Sequence, residues 1–186
     1  MEKTICGIDE AGRGALAGPL AVAGVVLLKE IDGLDDSKKL SPKKREELFE
    51  KIIKNARYEI VFTDNETIDR IGLSKAIKIS ILKIKEVLKA DVYVMDGKTS
   101  FGVDGVEAIV KADSLVKEVS AASILAKVSR DRIMKELDDK YPQYLFKEHK
   151  GYGTKKHREL IEKYGMSEIH RKSFKIKSLR YPSLPL

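Results

Sequence analysis

The stretch TICGIDEAGRGALAGPLAVAGVVLL, residues 4–28, places two apolar segments on either side of a glycine-rich loop. Residues 4–8 and 20–28 are rich in β-branched and apolar residues, which is typical of strands. The Gly and Pro residues between them favour a turn. The stretch therefore predicts a β-hairpin at the start of the fold.

The rest of the chain alternates between helical and strand patterns. Ser41 and Pro42 indicate a helix start, because serine is a good N-cap and proline fits the first helical turn. Apolar residues spaced by three or four between Leu73 and Leu88 predict an amphipathic helix. Further helices are predicted at 120–141 and 154–165, and further strands at 57–63, 91–96 and 106–113. This order predicts an α/β fold with a mixed sheet, in a single domain spanning residues 1–186.

The composition predicts a folded protein and leaves its partner open. Hydrophobic residues make up 42% of the 186 residues, which is enough apolar material for a core. The formal net charge of +7 favours a polyanionic partner such as nucleic acid. A heavily charged surface without such a partner has the same composition, so composition does not decide between the two.

Cysteine content and hydropathy predict a cytoplasmic protein. The single cysteine, Cys6, provides neither a disulfide framework nor a thiolate metal site. The N-terminal residues lack the pattern of a signal peptide. The longest apolar stretch, residues 20–28, is too short to span a bilayer. We therefore expect a reducing compartment and no membrane partner.

The glycines after the first strand also raise the possibility of a dinucleotide site. Gly12, Gly14 and Ala17 match the fingerprint G-x-G-x-x-G/A. In that fingerprint a helix begins at the glycines and directs its N-terminus at the pyrophosphate. Here Gly18, Pro19 and a β-branched run follow instead, which argues against such a site.

Four acidic residues stand at or near predicted strand ends: Asp9, Glu10, Asp96 and Asp113. If their strands are neighbours, the carboxylates converge and repel one another unless a cation is bound. Asp9 and Glu10 can both reach one site only if their strand ends or distorts there, which the following glycines permit. Each acid alone is typical of a solvated turn residue. Together they indicate hydrolysis of phosphodiesters with Mg²⁺ or Mn²⁺.

Seven blocks of the sequence together resemble the ribonuclease HII family. In chain order they are GIDEAGRG, DSKKLSP, VMDGK, KAD, VSAASILAKVSRDR, HKGYGTKKH and HRKSF. Several of them are long, and they occur together only in this family and in its relative ribonuclease HIII. The resemblance spans residues 4–174.

This resemblance implies a ribonuclease H-like fold, with a central mixed sheet of five strands flanked by helices. A helical C-terminal segment, about residues 142–186, would help to bind substrate. The implied enzyme is an endonuclease that hydrolyses the RNA strand of RNA/DNA hybrids and cuts on the 5′ side of single ribonucleotides in duplex DNA. Its products would carry 3′-hydroxyl and 5′-phosphate ends. It would act in replication and repair by removing RNA primers and embedded ribonucleotides.

The resemblance also implies the catalytic residues and their cofactors. Asp9, Glu10, Asp96 and Asp113 would be the catalytic, metal-binding carboxylates, the same four acids that the residue pattern selects. The implied cofactors are two divalent cations, Mg²⁺ or Mn²⁺. One ion would activate water for attack on phosphorus, and the other would stabilise the leaving 3′-oxygen.

Two further motifs would recognise the substrate, according to the resemblance. The backbone of Gly12, Arg13 and Gly14 would hydrogen-bond the ribose 2′-hydroxyl, because glycines allow close approach. Tyr152 would stack on the deoxyribose that follows the ribonucleotide and reject a 2′-hydroxyl there. The protein would then read the junction between RNA and DNA.

Other polar residues are candidates for contacts to backbone phosphates: Ser37, Lys38, Lys155 and His157. His157 has basic neighbours and is expected to contact phosphate or to lie at the surface. It is not expected to ligate a hard cation, which prefers oxygen. RKSF, residues 171–174, is a candidate support for the active-site face, and ordinary packing of Phe174 is the alternative.

Two alternatives remain to be compared with ribonuclease HII. Ribonuclease HIII carries an added N-terminal substrate-binding domain, whereas here the first strand begins at once, and the GRG and GYGT motifs also favour ribonuclease HII. A non-catalytic, basic nucleic-acid-binding module of the same fold is disfavoured because all four acids are present. The C-terminal RYPSLPL lacks a glutamine-led aromatic motif. We therefore do not expect recruitment by a sliding clamp. Separately, we expect a monomer.

Overall fold

The computed structural model describes residues 3–34 and 40–176. Within them, five strands form one sheet: β1 (Ile5–Ala11), β2 (Leu20–Leu27), β3 (Ala56–Thr63), β4 (Val92–Asp96) and β5 (Val106–Ile109). The α-helices are α1 (Pro42–Asn55), α2 (Asn65–Ile71), α3 (Leu73–Val87), α4 (Lys117–Lys140), α5 (Phe146–His149) and α6 (Lys155–Tyr164). Two 3-10 turns cover Ala112–Ser114 and Pro142–Tyr144.

The strand order is β3-β2-β1-β4-β5, and the sheet is mixed. β1 pairs antiparallel with β2, which confirms the predicted hairpin, and β2 pairs antiparallel with β3. β4 lies parallel to β1 and β5 lies parallel to β4. Ile8 is opposite Met95, so Asp9 and Asp96 each follow a paired residue of two parallel neighbours. This register brings the two aspartates to the same edge of the sheet.

Helices cover both faces of the sheet, which is the predicted α/β architecture of the ribonuclease H-like fold. One apolar cluster joins β1 and β2 to α1 and α4, and the other joins the opposite face to α2 and α3. β2 is buried along nearly all of its length. This burial on two faces explains why β2 is continuously apolar rather than alternating.

The N-terminal part of α4 lies unusually close to β1. A Cβ atom on Gly7 would stand 2.2 Å from the backbone carbon of Glu118, so only glycine fits there. The next helical residues are mostly small and buried: Ser120, Ala121, Ala122 and Ser123. Small side chains permit this close approach and aim α4 across the edge where Asp9 lies.

Several element boundaries differ from the sequence predictions. α1 begins as predicted, and the Ser41 hydroxyl accepts from the backbone N–H of Lys44 at 3.2 Å. The prediction that the strand beginning at residue 106 continues to Asp113 is wrong. β5 ends at Ile109, because Lys111 has a left-handed backbone with φ of 62° that cannot continue a strand. α2 was not predicted, since seven residues are too few to show a helical period.

The helical C-terminal segment predicted for about residues 142–186 is confirmed as far as Tyr164; residues 165–176 contain no helix, and residues 177–186 lie outside the described chain. α5, α6 and the preceding 3-10 turn pack around Tyr144 and Phe146, whose rings stack with centroids 5.4 Å apart. None of the helices within residues 3–34 and 40–176 is long and apolar enough to cross a membrane.

Candidate active site

Three aspartates from different elements meet at the end of β4. Asp9 lies on β1, Asp96 is the last residue of β4, and Asp113 lies in the following 3-10 turn. One carboxylate oxygen from each residue lies within 4.8 Å of the other two. The backbone N–H of Ala112 donates to Asp96 Oδ1 at 2.9 Å and so ties the turn to the strand end. The structure thus brings together three of the four acids selected from the sequence.

Glu10 lies beside this group rather than within it. β1 neither ends nor distorts at Glu10, contrary to the expectation from the following glycines, because its pairing with β2 continues to Ala11. Glu10 Oε1 lies 3.5 Å from Arg13 Nη1. Glu10 Oε2 is buried and has no hydrogen-bond partner among the described residues. Glu10 therefore offers an oxygen that nothing in this part of the chain satisfies.

The electrostatics of the site favour a bound cation. Burial, and next the charge of Glu10, raise the pKa of Asp9 from 3.8 to about 7. Burial also raises the pKa of Glu10, although the Arg13 guanidinium opposes this rise. A bound cation would stabilise the ionised forms of Asp9 and Glu10, which burial disfavours. A donor set made only of oxygen fits a hard divalent cation such as Mg²⁺ or Mn²⁺.

A cavity of about 330 Å³ opens onto these acids. Its wall combines Asp9, Glu10 and Asp96 with residues from other elements: Arg45 of α1, Ser123 and Lys127 of α4, and Tyr152. Arg45, Ser123 and Lys127 were not predicted as site residues. Ser123 and Lys127 are four residues apart within VSAASILAKVSRDR, a spacing that places both on one helical face. That spacing was the signal that could have revealed them.

The glycine-rich loop, residues 12–19 between β1 and β2, lies against Tyr152. The backbone N–H of Gly12 donates to the Tyr152 hydroxyl at 3.0 Å. Gly12 has φ of 88°, and a Cβ atom there would stand 2.1 Å from Arg130 Nε. A Cβ atom on Gly14 would meet nothing within 4 Å among the described residues. The fold therefore requires glycine at position 12, whereas position 14 faces open space.

Two buried arginines hold the glycine-rich loop from beneath. Arg130 donates to three backbone carbonyls, those of Ala17, Pro19 and Lys150, at 2.7–3.0 Å. Arg171 donates to the carbonyls of Arg13 and Gly18 at 3.2 and 3.1 Å. Arg171 belongs to RKSF, the block expected to support this face. The support of the loop by Arg130 was not predicted.

Tyr152 stands at the rim of the cavity between the loop and α4. The centroid of its ring lies 5.1 Å from the guanidinium carbon of Arg130 and 5.8 Å from Lys127 Nζ. Cations at this distance from an aromatic ring are attracted to its face. Cation–π contacts with Arg130 and Lys127 thus position the ring, while the hydrogen bond from the Gly12 N–H positions the hydroxyl.

The four residues predicted to contact phosphate differ in exposure and in whether the structure describes them. Lys155 stands in the first turn of α6 with 88% of its side chain exposed, so it remains a candidate. Ser37 and Lys38 lie outside the described residues. The prediction for His157 is wrong, because its side chain is fully buried and bonded to other residues of the core. Its basic neighbours point to solvent, whereas position 157 faces inward from α6.

Comparison with known proteins places these observations in one family. The family model described as Ribonuclease HII matches residues 6–177. The ribonuclease HII of Aliarcobacter butzleri is 56% identical over 179 residues, which cover 95% of this chain and 93% of that protein. The ribonuclease HII of a Sulfurovum species is 53% identical over 182 residues, covering 98% and 97%. The solved ribonuclease HII of Archaeoglobus fulgidus, in complex with PCNA, matches with a TM-score of 0.82 and 31% identity, covering 95% of this chain and 97% of that chain.

Proposed function

Because this chain belongs to the ribonuclease HII family, we propose that it cuts nucleic acid at junctions between RNA and DNA, using two divalent cations held by four acids. Membership makes the chain a ribonuclease H, a nuclease that hydrolyses phosphodiesters. The family depends on metal and acts on RNA/DNA substrates. We further propose that the chain binds two ions, that the four acids are their ligands, and that the preferred substrate is an RNA–DNA junction.

The observation that carries the proposal is the meeting of Asp9, Asp96 and Asp113, whose ligand oxygens lie within 4.8 Å of one another. These three residues would hold the metal, and Glu10 would join them through its unpartnered oxygen. Bound there, Mg²⁺ or Mn²⁺ would polarise the phosphate and lower the pKa of a bound water. The raised pKa of Asp9 supports this, since burial and the charge of Glu10 disfavour the ionised carboxylate and a bound cation would offset both.

The basic residues around the cavity would position the substrate backbone. Lys127 and Arg45 line the same cavity as the acids. Lysine and arginine that contact phosphates set the register of a duplex without reading its sequence. Lys155, exposed on α6, would extend this contact along the duplex.

The loop of Gly12, Arg13 and Gly14 would identify the ribose. Gly14 faces open space, so a sugar can approach its backbone closely. A ribose 2′-hydroxyl both donates and accepts hydrogen bonds, which lets backbone groups distinguish RNA from DNA. The arginines beneath the loop keep these backbone groups in place before substrate arrives.

Tyr152 would identify the deoxyribose that follows. Its ring lines the cavity, and its hydroxyl bonds to the first glycine of the loop. The group that reads ribose and the group that reads deoxyribose are thus joined by one hydrogen bond. This link supports recognition of a junction rather than of a uniform hybrid.

Recruitment by a sliding clamp is not expected for this chain. The Archaeoglobus fulgidus relative was solved with PCNA, but RYPSLPL of this chain lies outside the described residues. A monomer located in the cytoplasm stays a prediction from the sequence.

The experiment that tests the proposal is cleavage of duplex DNA carrying one ribonucleotide, with Mg²⁺, with Mn²⁺ and with a chelator. We expect one cut on the 5′ side of the ribonucleotide, only with metal, and none in Asp9→Asn, which should still bind the duplex. Cutting of a continuous hybrid but not of this duplex would contradict the roles of Tyr152 and the glycine-rich loop. Binding without any cleavage would favour the non-catalytic module.

A further inference from the structure

Behind Tyr152 lies a cluster of three buried histidines that the proposed cleavage chemistry does not use. His149 ends α5, His157 lies on α6 and His170 follows near the end of the described chain. His149 is 9% exposed, and the other two are fully buried. The rings of His149 and His157 stack with centroids 4.2 Å apart. The Nε2 atoms of His157 and His170 are 3.1 Å apart.

The hydrogen bonds of the cluster define where each proton resides. The backbone N–H of Ser167 donates to His170 Nδ1 at 2.9 Å, so the proton of neutral His170 is on Nε2. That proton is donated to His157 Nε2, which leaves the proton of His157 on Nδ1. His157 Nδ1 lies 3.0 Å from the Tyr152 carbonyl, which can only accept. The Ser167 N–H donor at one end and the Tyr152 carbonyl acceptor at the other thus fix one tautomer in each ring, so both hydrogen bonds of the histidine pair are donated towards Tyr152.

The chain of hydrogen bonds from Ser167 through His170 and His157 ends at Tyr152, which lines the proposed substrate site. The carbonyl of Tyr152 accepts from His157, and its hydroxyl accepts from Gly12. Tyr152 and His170 also form isolated β-bridges with Ala15 and Ala17 of the glycine-rich loop. The histidines are therefore linked both to the tyrosine and to the loop that it faces.

We propose that His157 and His170 are positioning residues that hold Tyr152 through one pair of neutral tautomers, and so set the preference for a junction over a continuous hybrid. The proposal rests on the role of Tyr152 given under the proposed function. A tyrosine that rejects a 2′-hydroxyl by contact must be held within a fraction of an ångström. Two rings of fixed tautomer supply that rigidity, because they cannot exchange donor and acceptor without a broken bond.

The surroundings of the cluster keep the rings neutral. Burial lowers the pKa of His157 and of His170 to about 4. The stacked ring of His149 opposes a charge on either of them, and the aromatic rings of Tyr144 and Phe146 enclose the group. The charged residues that influence the cluster, Glu148, Lys150 and Asp138, act on His149.

The first test compares His170→Leu with the matched control His170→Gln. Glutamine keeps a donor near the position of Nε2, whereas leucine leaves His157 without one. The readout is the ratio of cleavage rates on a duplex with one ribonucleotide and on a continuous RNA/DNA hybrid. We expect the ratio to fall about fivefold in His170→Leu, the effect of one lost hydrogen bond, and to stay within about twofold in His170→Gln.

A merely structural role would give a different result, since loss of folded protein lowers both rates equally and leaves their ratio unchanged. On a Tyr152→Ala background, His170→Leu should change the ratio no further, because the positioned group is gone. An unchanged ratio in His170→Leu, with the wild-type preference intact, would overturn this inference alone. Absence of any preference in the wild type would overturn the role of Tyr152 and this inference with it.

The second test needs no variant. A two-bond ¹H–¹⁵N NMR spectrum of the unaltered protein identifies the protonated nitrogen of each histidine. We expect a proton on Nδ1 of His157 and on Nε2 of His170, both neutral at pH 7. A proton on Nε2 of His157 would overturn the inference even if His170→Leu did not fold.

Discussion

Gly12 and Tyr152, 140 residues apart in sequence, are joined by a hydrogen bond from the glycine N–H to the tyrosine hydroxyl at 3.0 Å. Tyr152→Phe removes this bond and keeps the ring. We expect cleavage of a continuous hybrid to be retained, because the acids are untouched. Preference for a single ribonucleotide should fall by about fivefold, as one neutral hydrogen bond is lost. Initial rates on the two substrates measure the change.

Tyr93→Phe is the matched control for this variant. Tyr93 is buried on β4, and its hydroxyl donates to the Leu88 carbonyl at 2.8 Å, away from the cavity. The same hydroxyl accepts from the Ala90 N–H at 3.1 Å, so its loss should lower stability by about 2 kcal/mol without changing the substrate ratio. Equal ratios in the two variants would show that the Tyr152 hydroxyl has no part in discrimination.

Divalent metal should stabilise the protein more at high pH than at low pH. The pKa of Asp9 is about 7 in the folded chain and 3.8 in the unfolded chain. Without metal, the folded state therefore holds a proton that the unfolded state releases, and stability falls as pH rises from about 4 to 7. The loss is up to about 4 kcal/mol. A bound cation would relieve it, so Mn²⁺ should raise the unfolding temperature more at pH 8 than at pH 5.5.

Two variants separate this effect from general ionic stabilisation. Asp9→Asn removes the titrating group and should abolish most of the gain from Mn²⁺. Asp104→Asn removes an exposed acid outside the cavity and should keep the gain. A gain that is the same at both pH values, or that survives in Asp9→Asn, would exclude Asp9 as a ligand.

The buried histidines should lower stability in acid. His157 and His170 have pKa values of about 4 in the folded chain, against 6.5 for an ordinary histidine. Between these values the unfolded state binds protons that the folded state refuses, so stability falls as pH decreases from 6.5 to 4. At pH 5 the loss is about 2 kcal/mol for each histidine. Urea unfolding at pH 7 and pH 5 measures it.

Asp9 changes stability in the opposite direction over the same range, so the histidine experiment belongs on an Asp9→Asn background. There, His170→Gln should reduce the loss between pH 7 and pH 5 by the share of His170, about 2 kcal/mol, while His157 and His149, whose pKa values are also lowered by burial, keep the rest. A pH dependence identical with and without His170 would contradict the depressed pKa.

Features of this fold and site that depend on neighbouring residues in the sequence were predicted, and those that depend on contacts between distant residues mostly were not. The hairpin of β1 and β2 and the start of α1 follow from local patterns and were predicted. Asp9 and Asp96 meet because β1 and β4 are parallel neighbours, a pairing that the strand patterns left open. Asp113 reaches them through the left-handed backbone of Lys111. A lysine carries no local signal for that conformation, so the strand was predicted to continue.

The burial of charged and titratable side chains was not predicted from the sequence. Arg130 resembles a surface residue in a helix rich in charge, yet its partners Ala17 and Pro19 lie more than 100 residues away. His157 resembles a surface residue because its neighbours are basic. Its burial depends on which face of α6 meets Phe146, and that is decided by tertiary packing. Local sequence carries no record of such distant partners.

The two glycines of the glycine-rich loop should respond differently to alanine. At Gly12 the new methyl group would collide with Arg130 and the backbone would be strained at φ of 88°, so Gly12→Ala should lower stability by about 3 kcal/mol. At Gly14 the methyl group meets nothing within 4 Å among the described residues, so Gly14→Ala should fold with wild-type stability. If the backbone there approaches a ribose, the same methyl group should slow cleavage at a single ribonucleotide on the order of 100-fold. Thermal unfolding and single-turnover cleavage of both variants measure the two effects. Wild-type cleavage by Gly14→Ala would remove position 14 from the substrate site, since the protein itself leaves that space open.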